Sequence, residues 1–259
     1  MGSFIKLSIL QSTLTWHNSS QNLLHFSEKI WQINEAVDII LLPEMFTSGF
    51  SMEPQEIAET MDGLAINWMV KTAKDVNSAI AGSLIIFEEG NYYNRFVFVH
   101  PSGEINYYNK RHLFTLAGED KIYKAGSKKV IITYKGWKIC PQVCYDLRFP
   151  VWARNVEDYD ILLYVANWPK ARIYAWDSLL PARAIENICY VVGVNRVGVD
   201  GNNLAYNGHS SVFNCLGEKL VAAKEDEEMM IYVTLEKNHI NETRTKLNFL
   251  NDKDTFEII

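Results

Sequence analysis

The order of apolar and polar residues along the chain predicts an alternation of helices and strands. Residues 18–35 carry apolar side chains at helical spacing behind an Asn-Ser-Ser start, which predicts an amphipathic helix. The run 37–42 is apolar except for Asp38, a pattern typical of strands buried on both faces in layered α/β folds. The chain is therefore expected to adopt an α/β fold.

Further elements follow from the same patterns. Helices are predicted at 63–77, near 150–157, at 174–188 and at 237–251. Strands are predicted at 4–10, 79–87, 95–100, 105–108, 130–134, 137–143, 160–166, 190–197, 209–214 and 229–235. A turn-forming Pro-Ser-Gly-Glu sequence lies between 95–100 and 105–108, which predicts a hairpin. This antiparallel pair within the alternation predicts an α-β-β-α layout rather than a simple parallel sheet.

The chain shows no internal division. No low-complexity stretch, proline- or glycine-rich linker or short repeat interrupts its 259 residues, and 48% of them are apolar, enough for a sizeable core. We expect one domain over 1–259, with a core at about 4–236 and a C-terminal extension at 237–259. The extension is expected to pack on the body or on another subunit.

Charge and cysteine content narrow the class of protein. A net charge of −6 argues against a nucleic-acid or anionic-membrane partner, because such partners require clustered Lys and Arg. The four cysteines are too few for a disulfide scaffold and lack the spacing of a zinc site, which fits a reducing compartment. The N-terminal residues lack the pattern of an export signal, so we do not expect export, and no apolar run approaches the ~20 residues of a membrane-spanning helix. We expect a cytoplasmic protein.

Three short stretches, each at the end of a predicted strand, supply one carboxylate, one ammonium and one thiol. They are Leu-Pro-Glu-Met-Phe around Glu44, Lys-Arg-His-Leu-Phe from Lys110, and Cys-Pro-Gln-Val-Cys-Tyr-Asp around Cys144. A thiol attacks only as the thiolate, so a carboxylate that accepts its proton and a cation that stabilises the developing charge complete the chemistry. The three groups predict a cysteine hydrolase without a catalytic histidine.

Cys144 lies between an apolar strand and a predicted helix, which is the position of a nucleophile elbow. Amides at the start of that helix are expected to lower the pKa of the thiol. A lone cysteine is more often buried and inert, and we expect this of the other three: Cys140, Cys189 and Cys215. The spacing of Cys140 and Cys144 does not match the CxxC of a redox pair.

The other two groups also have ordinary explanations. A buried carboxylate at Glu44 suits a general base, but it can also cap a helix or pair with a lysine. Lys110 alone reads as a surface lysine. Only the co-occurrence of the three stretches favours catalysis, and a Cys-His enzyme with His112 or His209 as the base is an alternative.

The three stretches resemble the Glu-Lys-Cys signature of the nitrilase, or carbon-nitrogen hydrolase, superfamily in order and spacing, over nearly the whole chain. Glu119, in Ala-Gly-Glu, resembles a second glutamate that these enzymes often place beside the lysine. The stretches 166–172 (Ala-Asn-Trp-Pro-Lys-Ala-Arg) and 182–187 (Ala-Arg-Ala-Ile-Glu-Asn) look like the omega-amidase branch. Members of that branch remove ammonia from the terminal amide of 2-oxoglutaramate or 2-oxosuccinamate.

The resemblance implies a four-layer αββα sandwich that assembles into homodimers or larger homo-oligomers, with no metal and no organic cofactor. In the implied reaction Glu44 accepts the proton of Cys144, and the sulfur attacks the amide carbonyl to form a thioester. Lys110 and the Tyr145 backbone N–H hold the oxyanion. Glu119 positions Lys110 and the substrate amide.

The implied small-molecule substrate also needs binding groups. Arg172, in the loop after strand 160–166, is the candidate clamp for the carboxylate of an oxo acid, because a guanidinium binds carboxylate bidentately. Arg148 is expected to pair with an acid such as Glu119 or Asp146. Three aromatic residues are expected to line the pocket: Phe114, Tyr145 and Trp168.

The three residues Glu44, Lys110 and Cys144 do not determine which reaction of the superfamily this chain catalyses. Hydrolysis of nitriles or carbamoyl amides, and acyl transfer, proceed through the same thioester. A non-catalytic binding protein that retains the fold is a further alternative.

Overall fold

The computed structural model describes residues 3–257. The helices are α1 Ser19–Trp31, α2 Leu64–Val76, α3 Pro150–Ala153, α4 Ile173–Asn187 and α5 Lys237–Leu247. The strands are β1 Phe4–Gln11, β2 Ile39–Leu41, β3 Ala79–Glu88, β4 Asn91–Val99, β5 Ile105–Asn109, β6 Ile132–Tyr134, β7 Trp137–Val143, β8 Ile161–Val165, β9 Tyr190–Val194, β10 Val197–Val199, β11 Ala205–Asn207, β12 Ser211–Phe213, β13 Lys219–Ala222 and β14 Met229–Glu236. The short 3₁₀ helices are Pro54–Glu56, Thr115–Ala117, Glu119–Lys121, Cys144–Arg148, Lys170–Arg172 and Phe249–Asp252.

Two six-stranded mixed sheets form the centre of the molecule. Their strand orders are β14-β1-β2-β3-β4-β5 and β13-β12-β9-β8-β7-β6, and β10 pairs with β11 in a small separate sheet. In the first sheet β1, β2 and β3 run parallel, and in the second β7, β8 and β9 do. Because parallel strands end at the same edge of a sheet, residues that follow β2 lie at the same edge as those that follow β1 and β3, and residues that follow β7 lie at the same edge as those that follow β8 and β9.

Apolar side chains fill three layers of core. Side chains of both sheets meet between them, among them Leu7, Phe98, Ile139 and Leu163. The helices α1 and α2 cover the other face of the first sheet, through residues that include Phe26, Met69 and Ile80. The helix α4 covers the second sheet in the same way, with Trp176 and Leu180 against Leu162. The predicted four-layer αββα sandwich is confirmed.

Several local predictions match the structure closely. The Asn18 side chain accepts a hydrogen bond from the Gln21 N–H and starts α1, which ends at Trp31, before the predicted limit. The predicted hairpin is formed by β4 and β5, with Val99 opposite Ile105. The predicted C-terminal helix is α5, and its Ile240 is fully buried.

Side chains bond the backbone at the ends of two elements that are shorter than predicted. The helix expected near 150–157 ends at Ala153, since the Asn155 side chain bonds the N–H and carbonyl of Tyr159 and turns the chain. The strand expected at 190–197 ends at Val194, where the Asn195 N–H donates to Ser210 Oγ at 2.9 Å. The short strands β11 and β13 were not predicted.

Residues 1, 2, 258 and 259, which the predicted domain 1–259 includes, lie outside the described residues, and the single-domain boundary stays a prediction. Within residues 3–257, none of the helices combines the length and the apolar character that crossing a bilayer requires.

Candidate active site

The three predicted stretches meet at one end of the two sheets. Glu44 follows β2, Lys110 directly follows β5, and Cys144 directly follows β7. Lys110 Nζ donates to Glu44 Oε1 at 3.1 Å. Cys144 belongs to the same electrostatic cluster, since both Glu44 and Lys110 act on its thiol. The structure thus brings together a carboxylate, an ammonium and a thiol from both sheets.

Lys110 is held between two buried carboxylates. Its Nζ donates to Glu119 Oε1 and Oε2 at 3.0 and 2.9 Å, in addition to Glu44. Lys110 is 1% exposed, and both glutamates are 0% exposed. Burial alone would lower the pKa of Lys110, but the Glu119 and Glu44 carboxylates outweigh it and raise that pKa. The ammonium is therefore a fixed positive charge beside the thiol.

Backbone and amide donors hold the two carboxylates in place. Glu44 Oε1 accepts from Asn94 Nδ2 at 2.7 Å, and Glu44 Oε2 accepts from the Asn167 backbone N–H at 2.7 Å. Glu119 Oε2 accepts from the Phe114 N–H at 2.6 Å. Burial and the neighbouring Glu44 raise the pKa of Glu119, while Lys110 opposes the shift. Glu44 thus has a fixed orientation, as a general base requires.

Cys144 occupies a strained turn between β7 and the 3₁₀ helix Cys144–Arg148. Its φ of 45° lies in the left-handed region, which is costly for a residue other than glycine and is common at nucleophile elbows. The Asp146 carboxylate accepts from the Val143 N–H at 2.9 Å and so closes the turn. Asp146 also accepts from Tyr108 Oη at 2.8 Å and from the His112 N–H at 2.9 Å. The elbow is therefore bonded to the segment that carries Lys110.

The pKa of the Cys144 thiol is raised in the structure, whereas the sequence predicted that it would be lowered. Burial and the Glu44 carboxylate raise its pKa well above the ordinary value, and Lys110 only partly compensates. The predicted lowering by helix amides is wrong, because only a five-residue 3₁₀ helix follows Cys144. The resting group is the neutral thiol, so attack requires a base that takes the proton as the bond forms.

A cavity of about 500 Å³ opens over this cluster. Lys110, Cys144 and Asn167 line it, so a bound molecule reaches the thiol and the ammonium. The four predicted substrate-binding residues also line the cavity: Phe114, Tyr145, Trp168 and Arg172. The volume suits a small molecule rather than a polymer.

Two guanidiniums face the cavity without an acidic partner among residues 3–257. The Arg172 guanidinium lies over the Phe114 ring, 4.9 Å from its centroid, and the Arg148 guanidinium lies over the Trp168 ring at 5.0 Å. The predicted pairing of Arg148 with Glu119 or Asp146 is wrong, because buried donors already occupy both acids. Both arginines are free to bind an anion.

The cavity also contains two acids. Asp200 accepts from the backbone N–H groups of Asn202 and Leu204 and from Tyr206 Oη, all within 3.0 Å, so its charge is already compensated. Glu53 is exposed at the rim. The guanidiniums of Arg148 and Arg172 are therefore the charged groups of the cavity that have hydrogen-bond donors available for a ligand.

Neither histidine of the alternative Cys-His mechanism bonds the thiol. His112 Nδ1 bonds Asp146 Oδ1 at 2.8 Å, and the imidazole stacks on Phe149. His209 Nδ1 bonds Asp177 at 2.9 Å. In the described part of the chain no hydrogen bond joins either imidazole to Cys144, and Glu44 is the base that the geometry offers.

The sequence patterns did not predict a role for two asparagines of the site. Asn94 lies in β4 and is 1% exposed, but it precedes the predicted strand 95–100, so the local sequence pattern carries no signal of its role. Asn167 follows β8 at the same end of the sheet as Cys144. It lies within the stretch 166–172, whose pattern predicts no role for it.

Comparison with known proteins identifies the family of the chain. The sequence model of the carbon-nitrogen hydrolase family matches residues 6–245. The Omega-amidase YafV of Escherichia coli K12 is 46% identical over 254 residues, 98% of each chain. The 2-oxoglutaramate amidase of Bacillus subtilis is 32% identical over 226 residues, 85% of this chain and 87% of the relative.

A solved structure gives the same result. XC1258 from Xanthomonas campestris, a CN-hydrolase superfamily protein, is 41% identical, with a TM-score of 0.97 over 100% of both chains. The fold and the sequence together define an enzyme that cleaves carbon–nitrogen bonds. The chain belongs to the carbon-nitrogen hydrolase family.

Glu44→Gln is expected to lower the pKa of the Cys144 thiol. The substitution removes a negative charge that disfavours the thiolate and leaves Lys110 in place. The pH profile of Cys144 alkylation by iodoacetamide, followed by mass spectrometry of its peptide, should move to lower pH than in the wild type.

Peptide mapping makes this measurement specific, because the other cysteines, at 140, 189 and 215, are buried. The control is Glu104→Gln, which changes an exposed carboxylate in the turn between β4 and β5 and should leave the midpoint in place. A midpoint that is unchanged or higher in Glu44→Gln would contradict the described electrostatics.

Proposed function

We propose that this protein is an amidohydrolase that cleaves the terminal amide of a small 2-oxo acid, releasing ammonia through a thioester on Cys144. The observation that carries the reaction class is the buried contact of Lys110 with Glu44 and Glu119 beside Cys144, at the floor of a cavity. The family membership supports the same class of reaction.

The first half of the reaction forms the thioester. Glu44 accepts the thiol proton of Cys144 while the sulfur attacks the amide carbonyl and the carbonyl π-electrons move to oxygen. Lys110 and the Tyr145 backbone N–H stabilise this oxyanion, and one such donor typically contributes about 3–4 kcal/mol. Glu44 then passes the proton to the amide nitrogen, the C–N bond breaks, and ammonia leaves.

The second half hydrolyses the thioester. Glu44 takes a proton from water as the water oxygen attacks the acyl carbon. The C–S bond then breaks, Glu44 returns the proton to the Cys144 sulfur, and the carboxylic acid is released. Glu119 keeps Lys110 oriented through both halves, because it binds the ammonium with both oxygens.

The substrate class rests on the cationic side of the cavity. Arg172 and Arg148 present guanidiniums without an acidic partner in the described residues, which suits a substrate that carries a carboxylate. The names of the relatives, omega-amidase and 2-oxoglutaramate amidase, support a 2-oxo acid amide. We assign Arg172 as the carboxylate clamp, with the three aromatic residues as walls: Phe114, Tyr145 and Trp168.

Two further assignments are part of the proposal. Since all four cysteines are free in the structure, a reducing compartment is suitable, and we place the enzyme in the cytoplasm. We also keep the homo-oligomeric assembly that the family resemblance implies.

Cys144→Ala and Cys144→Ser are expected to reduce kcat/KM for 2-oxoglutaramate by about 10⁴-fold or more while the protein stays folded, because the role of the thiol is chemical. Ammonia release measures activity, and circular dichroism measures folding. Cys215→Ala, which truncates a cysteine outside the cavity, is the control and should keep its activity. Substantial ammonia release by purified Cys144→Ala would exclude the mechanism.

Arg172→Ala is expected to raise KM for 2-oxoglutaramate by about 10- to 100-fold, since a charge-assisted hydrogen bond contributes about 1.5–3 kcal/mol. KM for pentanamide, an uncharged amide of the same chain length, should change little. Arg148→Ala, measured in parallel, reports how much of the anion selectivity the second guanidinium carries.

The matched control for this pair of assays is Lys170→Ala. Lys170 is also cationic and lies in the same loop, but its ammonium pairs with Asp226 at the surface. Lys170→Ala should leave the KM values for 2-oxoglutaramate and for pentanamide unchanged. Equal effects of Arg172→Ala on the charged and the uncharged amide would exclude the clamp.

A further inference from the structure

The backbone of one loop holds the base. The Asn167 N–H donates to Glu44 Oε2 at 2.7 Å, and the Asn167 side chain donates to the Glu44 carbonyl oxygen at 2.6 Å. The contact joins the two sheets, because Glu44 follows β2 and Asn167 follows β8. The loop must therefore be rigid at Asn167 if the carboxylate is to stay aimed at Cys144.

A buried asparagine fixes the next residue of that loop. Asn195 Oδ1 accepts from the Trp168 N–H at 2.8 Å, and Asn195 Nδ2 donates to the Trp168 carbonyl at 3.0 Å and to the Gly208 carbonyl at 2.7 Å. Asn195 is 0% exposed. Since its amide bonds both the backbone N–H and the backbone carbonyl of Trp168, it fixes the peptide that links Trp168 to Asn167.

Asn195 is itself firmly anchored. Its N–H donates to Ser210 Oγ at 2.9 Å, and Ser210 Oγ donates back to the Asn195 carbonyl at 3.1 Å. The Ser210 N–H donates to Gln11 Oε1 at 3.0 Å, at the end of β1. Hydrogen bonds thus connect Asn195 to strands of both sheets, so the residue that holds the loop is itself fixed in position.

We propose that Asn195 is a positioning residue for the base: by clamping Trp168 it holds the Asn167 N–H against Glu44. Asn195 is absent from the lining of the cavity and acts only through the loop. The proposal rests on the proposed role of Glu44 as general base, and it does not depend on which amide is the substrate.

The chain supplies a closely matched control. Asn155, also 0% exposed, accepts from the Tyr159 N–H and donates to the carbonyls of Tyr159 and Asn187. Its three bonds repeat those of Asn195 around another aromatic residue, away from the cavity lining. Loss of Asn155 therefore reports what a buried asparagine of this kind contributes to folding alone.

The test compares Asn195→Ser with Asn155→Ser, because serine removes the amide without adding a charge. Both variants should lose thermal stability. Asn195→Ser should also lose about 10²-fold in kcat, with a smaller change in KM, since a small displacement of a catalytic group costs that much. Asn155→Ser should keep both kcat and KM.

The assay uses an amide that the wild type hydrolyses. A wild type inactive on 2-oxoglutaramate counts against the proposed substrate, not against Asn195. If Asn195→Ser and Asn155→Ser lose similar stability and both keep kcat, the positioning role is overturned.

A second pair covers the case in which Asn195→Ser does not fold. Asn195→Asp and Asn155→Asp keep the shape of the side chain and its acceptor oxygen while removing the amide donor. A loss of kcat confined to Asn195→Asp supports the proposal. Equal kcat values in the two aspartate variants overturn it.

Discussion

The site depends on one buried charge, the ammonium of Lys110. Burying it without partners would be prohibitive, and the contacts with Glu44 and Glu119 compensate for the lost hydration. Removing one partner of a buried ion pair typically costs about 3–5 kcal/mol of stability, so each of the three groups depends on the other two. Glu44 and Lys110 follow strands, whereas Glu119 begins a short 3₁₀ helix, so the interaction that creates the site also fastens the loops around it.

Burial, together with the charge balance of this cluster, explains why the pKa of the Cys144 thiol is raised. Two carboxylates and one ammonium leave a net negative charge, and adding a thiolate beside it in a desolvated site is unfavourable. The neutral thiol is therefore the resting form, and a proton acceptor must act during attack. Glu44 fulfils the geometric requirement, because Asn94 and the Asn167 backbone hold its two oxygens in a fixed orientation.

The sequence predicted the layers and the three stretches because both leave local signals. Apolar runs and turn residues mark the strands, and Glu44, Lys110 and Cys144 each follow such a run. What it did not predict depends on contacts between distant segments. Asn167 and Asn195 have no local signal of their roles, and the pKa of Cys144 is determined by burial that no single stretch encodes.

The central claim is that Cys144 carries the acyl group of the substrate. Intact-protein mass spectrometry of the wild type, quenched with acid during turnover of 2-oxoglutaramate, tests it most directly. The account predicts a transient mass increase equal to the acyl group, mapped to the peptide that contains Cys144 and released by hydroxylamine. Turnover with no such adduct at Cys144, under conditions that preserve thioesters, would contradict it.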